Sequence, residues 1–169
     1  MKMSFLEKIW ILFSANVYIE WIIKDLIVFK KNSDLIEEIN IWIISDKLNN
    51  ERKIIFKKSF NQAIIDEFST LYNLSEEDKK LYTVILLLRD ILWHSRISIE
   101  EQKIWYTPST ENKMNKIKSF FWIESEWDIL TIDNTLLNFE ARIEMIEKID
   151  KEILPIYAKS IWLDYWRLR

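Results

Sequence analysis

LLLRDILWHSR, residues Leu86 to Arg96, is the stretch on which the reading of this chain turns. It carries the only histidine of the 169 residues. Arg89 stands five positions before His94 and directly after the apolar run Val84–Leu88. Upstream, Ser75 followed by Asp78 approximates a capping box, and Glu76, Glu77 and Asp78 favour a helix N-terminus. One helix is therefore expected from there to Trp93 or His94. Five helical residues turn about 500°, which leaves Arg89 and His94 about 140° apart around the axis, although the reach of an Arg side chain and a loosened last turn would let both heads converge. The stem of Arg89 is expected to be buried. An uncompensated buried charge costs roughly 3–5 kcal/mol, so its guanidinium needs a partner. Asp90 is adjacent, and Glu20, set in an apolar first helix, is the other candidate.

The rest of the composition narrows what this stretch can do. There is no glycine, so dinucleotide fingerprints, Walker-type phosphate loops and nucleophile elbows are excluded, because each needs backbone that only glycine provides. There is no cysteine, which removes disulfides, thiol catalysis and thiolate-held zinc. A single histidine excludes a multi-histidine metal centre within one chain. No metal and no cofactor is expected. The net charge of −3 advertises no broad basic face for duplex nucleic acid. The 9 Trp and 9 Phe argue against disorder.

Outward from the central stretch, the pattern predicts helices. Ser4 caps a helix over Phe5–Lys31, whose apolar surface is wider than one stripe and suits a central position. Asn16, Glu20, Lys24 and Asp25 interrupt it, and a membrane span rarely carries three charges near its middle. Glu7 and the lack of a small-residue cleavage site argue against a signal peptide. A cytoplasmic protein without a membrane segment is expected. A second helix is expected from Ser33 or Asp34 to Lys47, with a break at Asn49–Asn50, and a third from Glu51 to Tyr72. Ile117–Ile123 and Trp127–Ile132 are short, β-branched and aromatic, and predict a small β-hairpin around 117–132. Asp133 begins a helix through Ile149 that Pro155 breaks or kinks. The expectation is all-α: one domain over residues 1–169, a bundle of about five to six helices with that one hairpin.

Within this chain, phosphodiester cleavage is the chemistry that an Arg–His pair serves best. Imidazole gives or takes a proton near neutral pH. Guanidinium matches phosphate oxygens and stays charged. In RNA the 2′-OH is a built-in nucleophile, so neither a metal nor a glycine loop is required. One pair is sparse, and two copies facing each other in a homodimer would make a fuller site. Arg96 is a candidate phosphate contact, although an exposed surface arginine is the plainer reading. Trp93 is a candidate stacking platform for a base, although a core role is the plainer reading for it, as for Trp10, Trp21 and Trp42. Lys57–Lys58 and Lys79–Lys80 form basic pairs that suit either RNA guidance or a solvated face.

Arg89-Asp90-Ile91-Leu92-Trp93-His94 resembles the Arg-polar-x-x-x-His signature of HEPN domains, small helical bundles found in prokaryotic defence and toxin–antitoxin systems. The polar residue after Arg is often Asn in that family, and Asp90 is of the same class. Ile97-Ser98-Ile99-Glu100-Glu101 is similar to the continuation in HEPN-like proteins of the mannitol-repressor type. The first helix, from Ser14-Ala15-Asn16 to Glu20 and Lys24, resembles the family's opening helix, where an acidic residue faces the motif. Family toxins silenced by nucleotidyl transfer carry Tyr two residues after the His, where this chain has Arg96. The resemblance implies a HEPN-like bundle and a metal-independent endoribonuclease in antiviral defence or a toxin–antitoxin pair. His94 would be the acid/base and Arg89 the phosphate clamp, oriented by Asp90 and Glu20, with Arg96 and Trp93 binding substrate. It also implies an RNA substrate, a homodimer, and a cognate antitoxin or defence partner. The alternative is a HEPN-like adaptor or regulator without catalysis, or a mobile-element interaction protein.

Overall fold

Ser4 opens the longest helix. Its hydroxyl accepts from the backbone of Glu7, while the Glu7 carboxylate accepts from the backbone of Ser4 at 2.7 Å, a complete capping box. In this computed structural model, which describes residues 3–41, 43–121 and 129–168, α1 runs over Phe5–Lys31. Later helices surround it, so it is buried on several sides. That is why its apolar positions follow no single stripe. Asn16, Glu20, Lys24 and Asp25 are all buried within it, each with an internal partner. The Asn16 amide donates to the Leu12 carbonyl at 2.6 Å. Arg52 holds Asp25 through two hydrogen bonds, of 2.7 and 2.5 Å. Burial nevertheless pushes the Asp25 carboxyl up from its ordinary value against the pull of Arg52.

The middle of the chain breaks at other places than the periodicity suggests. Helix α2 covers Leu35–Asn40, α3 Asp46–Phe56 and α4 Gln62–Tyr72. The second helix thus stops before Lys47, Asn49 and Asn50 lie inside α3, and the expected helix over 51–72 is two helices. Two side-chain caps explain this. The Ser45 hydroxyl accepts from Leu48 N at 3.1 Å, and the Asn61 carboxamide from Ile64 N at 3.4 Å. Each starts a new helix at its own position. The corner between α3 and α4 turns Phe60 into the core, where it is buried with Ile64, Ile65 and Phe68. Helix α4 ends at Asn73 in the left-handed region, φ 51°.

Ser75 caps α5, Glu76–His94, by accepting from Asp78 N at 3.0 Å. Its inner face buries Tyr82, Ile85, Leu88 and Ile91 and packs on α1. Directly beyond His94 the chain becomes extended. Strands β1 (Arg96–Ser98), β2 (Lys103–Tyr106) and β3 (Leu130–Asp133) form an antiparallel sheet in the order β1-β2-β3. Arg96 pairs with Trp105, and Trp105 with Thr131.

The small β element therefore exists, but its strands differ from those expected at 117–132. Residues 117–121 close helix α6, Glu111–Phe121. The Thr110 hydroxyl caps it through Lys113 N at 3.2 Å, and Ile117 and Phe121, one turn apart, are both buried. Helical spacing against the core overrides β-branched composition here. The second arm is partly right, since Leu130–Ile132 belongs to β3; residues 122–128 lie outside the described residues.

The Asp133 carboxylate accepts from Thr135 N and Leu136 N at 2.9 and 2.8 Å and starts α7, Asn134–Leu137. Asn138, at φ 45°, separates it from α8, Phe139–Lys148. Pro155 does not break the helical path beyond α8. A π-helical turn over Ile149–Ile153 leads into α9, Leu154–Lys159. Proline would clash with the carbonyl four residues before it and donates no bond, and the wider turn relieves both problems. A 3-10 turn, Tyr165–Leu168, comes last. Left-handed backbone occurs at Asn73, Gln102, Asn138 and Trp162, with φ of 51°, 52°, 45° and 61°. Among the described residues no helix is long and apolar enough to cross a membrane.

Candidate functional site

Helix α5 separates its two candidate residues. Arg89 turns toward α1, where its Nε lies 3.5 Å from Glu20 Oε2. The other Glu20 oxygen accepts from Lys24 at 2.6 Å, and Lys24 also donates to the Lys58 carbonyl at 2.9 Å. The ammonium of Lys24 sits 5.6 Å from the centre of the Phe56 ring. Glu20 is thus one carboxylate shared by two cations, with all three groups largely shielded from water. Asp90, the other candidate partner of Arg89, faces elsewhere.

Asp90 and His94 lie one turn apart and share a face. His94 Nε2 is 3.8 Å from Asp90 Oδ1, and the imidazole is mostly exposed. On its far oxygen Asp90 takes Lys113 Nζ from α6 at 2.5 Å and the hydroxyl of Tyr106 from β2. Burial raises the Asp90 carboxyl, but the hydrogen bonds from Lys113 and Tyr106 outweigh it, and the group titrates below the usual aspartate range. Burial, together with the same bond, pushes the Tyr106 phenol far up. Tyr106 therefore keeps its proton and donates it to an ionised Asp90.

A cleft of about 520 Å³ opens beside this pair, lined by His94, Arg96, Trp105, Thr107 and Ile129. The α5–β1 junction builds it. Ser95 ends the helix and bonds its hydroxyl back to the Ile91 carbonyl. Arg96 then enters the sheet directly opposite Trp105. Alternation along β2 buries Ile104 and Tyr106 and turns Lys103 and Trp105 outward. The cleft thus combines an imidazole backed by a carboxylate, a guanidinium and a half-buried indole.

The sequence-expected residues therefore divide. His94, Asp90 and Arg96 come together, whereas Arg89 and Glu20 form a separate buried cluster. Among the described residues no hydrogen bond or ion pair joins Arg89 to His94. Trp93 is exposed rather than in the core, and it stacks on Phe13 with ring centres 5.2 Å apart and planes at 18°. Trp10 and Trp21 are likewise exposed, and Trp42 is outside the described residues. Trp105, Tyr106 and Lys113 were not legible as site residues. The alternation in KIWY, residues 103–106, is the signal that marks Trp105 as outward. Lys113 and Tyr106 carry no local signal, because only the tertiary fold brings them to Asp90. Among the described residues no group of His, Asp and Glu is arranged to hold a metal ion.

Trp10, Phe13, Trp93 and Ile97 border an apolar depression of about 210 Å³ on the α1–α5 surface. Comparison of the chain with protein-family models, with curated proteins and with solved structures returned no match.

Proposed function

We propose that this chain is a metal-independent endoribonuclease of HEPN type, cytoplasmic, homodimeric, and part of a prokaryotic defence or toxin–antitoxin system. The observation that carries the reading is the open His94 imidazole, backed by Asp90 and facing a cleft that also holds Arg96 and Trp105. In this reading neutral His94 takes the proton of a ribose 2′-OH as that oxygen attacks the adjacent phosphorus. The new O–P bond forms as the bond to the 5′-oxygen breaks. That oxygen leaves with a proton from the imidazolium of the second copy, giving a 2′,3′-cyclic phosphate and a 5′-OH end. Asp90 orients the imidazole. Arg96 neutralises the phosphate, and Trp105 stacks on a base. Arg89, held by Glu20, fixes the end of α5 on α1 and is not assigned to the phosphate.

A second reading, a helical adaptor without catalysis, is favoured by two observations. The motif arginine is already engaged by Glu20, while the exposed Trp10–Phe13–Trp93 surface offers an apolar contact face. RNA cleavage by the purified chain in EDTA separates the two. The enzyme reading expects cyclic-phosphate ends and a loss of about 10²–10⁴-fold in His94→Ala. Cleavage that EDTA abolishes, or that survives His94→Ala, rules this mechanism out, and no cleavage at all leaves the adaptor.

A further inference from the structure

A second cavity lies on the opposite side of Asp90 from His94. It encloses about 230 Å³ between the start of α4, the middle of α5 and the start of α6. Phe60 and Leu87, both buried, form apolar walls. The rim is polar. Asn61 lines the cavity and uses its carbonyl oxygen to cap α4, so its amide N–H groups are not spent on the cap. Lys116 reaches the rim from α6 and has no ion-pair partner among the described residues. Thr83 closes the end away from His94.

These features lie along one line. Thr83, Leu87, Asp90 and His94 recur at helical spacing and form a single stripe of α5. From Leu87 to His94 the helix rises about 10 Å, the length of about three nucleotides at a stacked rise and fewer when the strand is extended. A strand with its reacting phosphate at His94 would therefore pass this cavity within a few nucleotides. An apolar-walled pocket with amide donors at the rim and a cation beside it suits a flat, polar-edged heterocycle attached to a phosphate. A protein side chain would not need that combination.

From this we infer that the α4–α5–α6 cavity holds one unpaired base of a single-stranded RNA, with Lys116 on its phosphate. The inference rests on the reading that an RNA phosphate lies at His94 and Arg96. It makes the substrate single-stranded, since a base paired in a duplex cannot enter the cavity.

The test uses a fluorescein-labelled, 2′-O-methylated single-stranded RNA octamer, which cannot be cut because it has no free 2′-OH. Binding to the full chain is read by anisotropy. Lys116→Glu, on an exposed helix position, is expected to weaken binding about tenfold and to lower the salt slope by about 0.7, one phosphate's worth. Thr83→Trp, which fills the cavity, is expected to weaken it comparably, with circular dichroism confirming the fold of both variants. A complementary duplex is expected to bind less tightly than the octamer. Cleavage of a dinucleotide, which has no phosphate beyond the one at His94 for Lys116 to hold, is expected to be unchanged in Lys116→Glu. An octamer that binds both variants as tightly as wild type, or does not bind wild type, overturns the inference even if His94-dependent cleavage is found. Conversely, binding that depends on Lys116 and Thr83 without any His94-dependent cleavage leaves the pocket standing and removes the catalytic reading.

Discussion

Asp90 faces His94 with one oxygen and is held through the other. One of its oxygens lies 3.8 Å from the imidazole, while the other is bonded to Lys113 at 2.5 Å and to Tyr106. The carboxylate is a junction between α5, α6 and the sheet, so its charge affects both fold and site.

The first prediction concerns pH. The folded value of Asp90 is depressed, so its contribution to stability is in place above the unfolded aspartate value, near 3.9, and fades as pH falls through the folded value. Asp90→Asn is expected to cost about 1–2 kcal/mol at pH 7, with a narrower gap to wild type at about pH 3, below the unfolded aspartate value. Urea unfolding at the two pH values measures it. A gap of equal size at both would mean that the charge of Asp90 is not what stabilises this junction.

A second prediction separates Glu20 from Arg89. Removing the shared carboxylate leaves Lys24 and Arg89 as unpaired, largely buried cations. Glu20→Ala is expected to destabilise by roughly 3–5 kcal/mol. Arg89→Met leaves the Glu20–Lys24 pair intact and should cost clearly less. Equal losses in denaturant titrations would argue against this division of the cluster.

Cleavage kinetics should follow the cleft and not the motif. Arg96→Ala is expected to lower kcat/KM about 10–100-fold through a lost charged phosphate contact. Trp105→Ala should act mainly on KM, by the ~1–3 kcal/mol of a lost base stack. Arg89→Met, corrected for its folded fraction, should retain most activity. A reversed order would return the phosphate to Arg89.

The exposed aromatic face makes a claim about assembly. Trp10 and Trp93 flank Phe13, and an apolar patch of this kind favours association. Sedimentation should show a dimer that Trp10→Ser with Trp93→Ser disperses. A wild-type chain that stays monomeric at the highest soluble concentration excludes the dimer, and with it the second imidazole.

Much of the helical frame was legible because strong local signals agreed with the packing. Ser4 with Glu7 and Ser75 with Asp78 are caps that can be read in the sequence, and α1 and α5 begin where those pairs place them. Ser45 and Asn61 are equally good caps, but each interrupts an apolar pattern that continues through it, and only the turn of Phe60 into the core decides for the break. Residues 117–121 misled because composition favoured a strand while the spacing of Ile117 and Phe121 favoured a helix. In the site, the four-residue spacing of Asp90 and His94 puts them one turn apart on one face of α5, whereas adjacency suggests Asp90 as a partner of Arg89. Lys113 and Tyr106 were not legible, since they are 23 and 16 residues from Asp90 in sequence and reach it only through α6 and the sheet. The five-residue spacing of Arg89 and His94 already implied two faces, and the helix continues through His94 without the loosening that would have joined them.

The four left-handed positions among the described residues of this glycine-free chain carry one further consequence. A side chain at such a backbone costs about 1–2 kcal/mol, least for Asn. Trp162 adopts φ 61° while the residue is 89% exposed, so it gains little from packing there. Trp162→Gly should therefore raise the melting temperature, and Asn138→Gly less so. If both do, the absence of glycine holds this protein below the stability that its own backbone permits, and a single codon change is enough to begin recovering it.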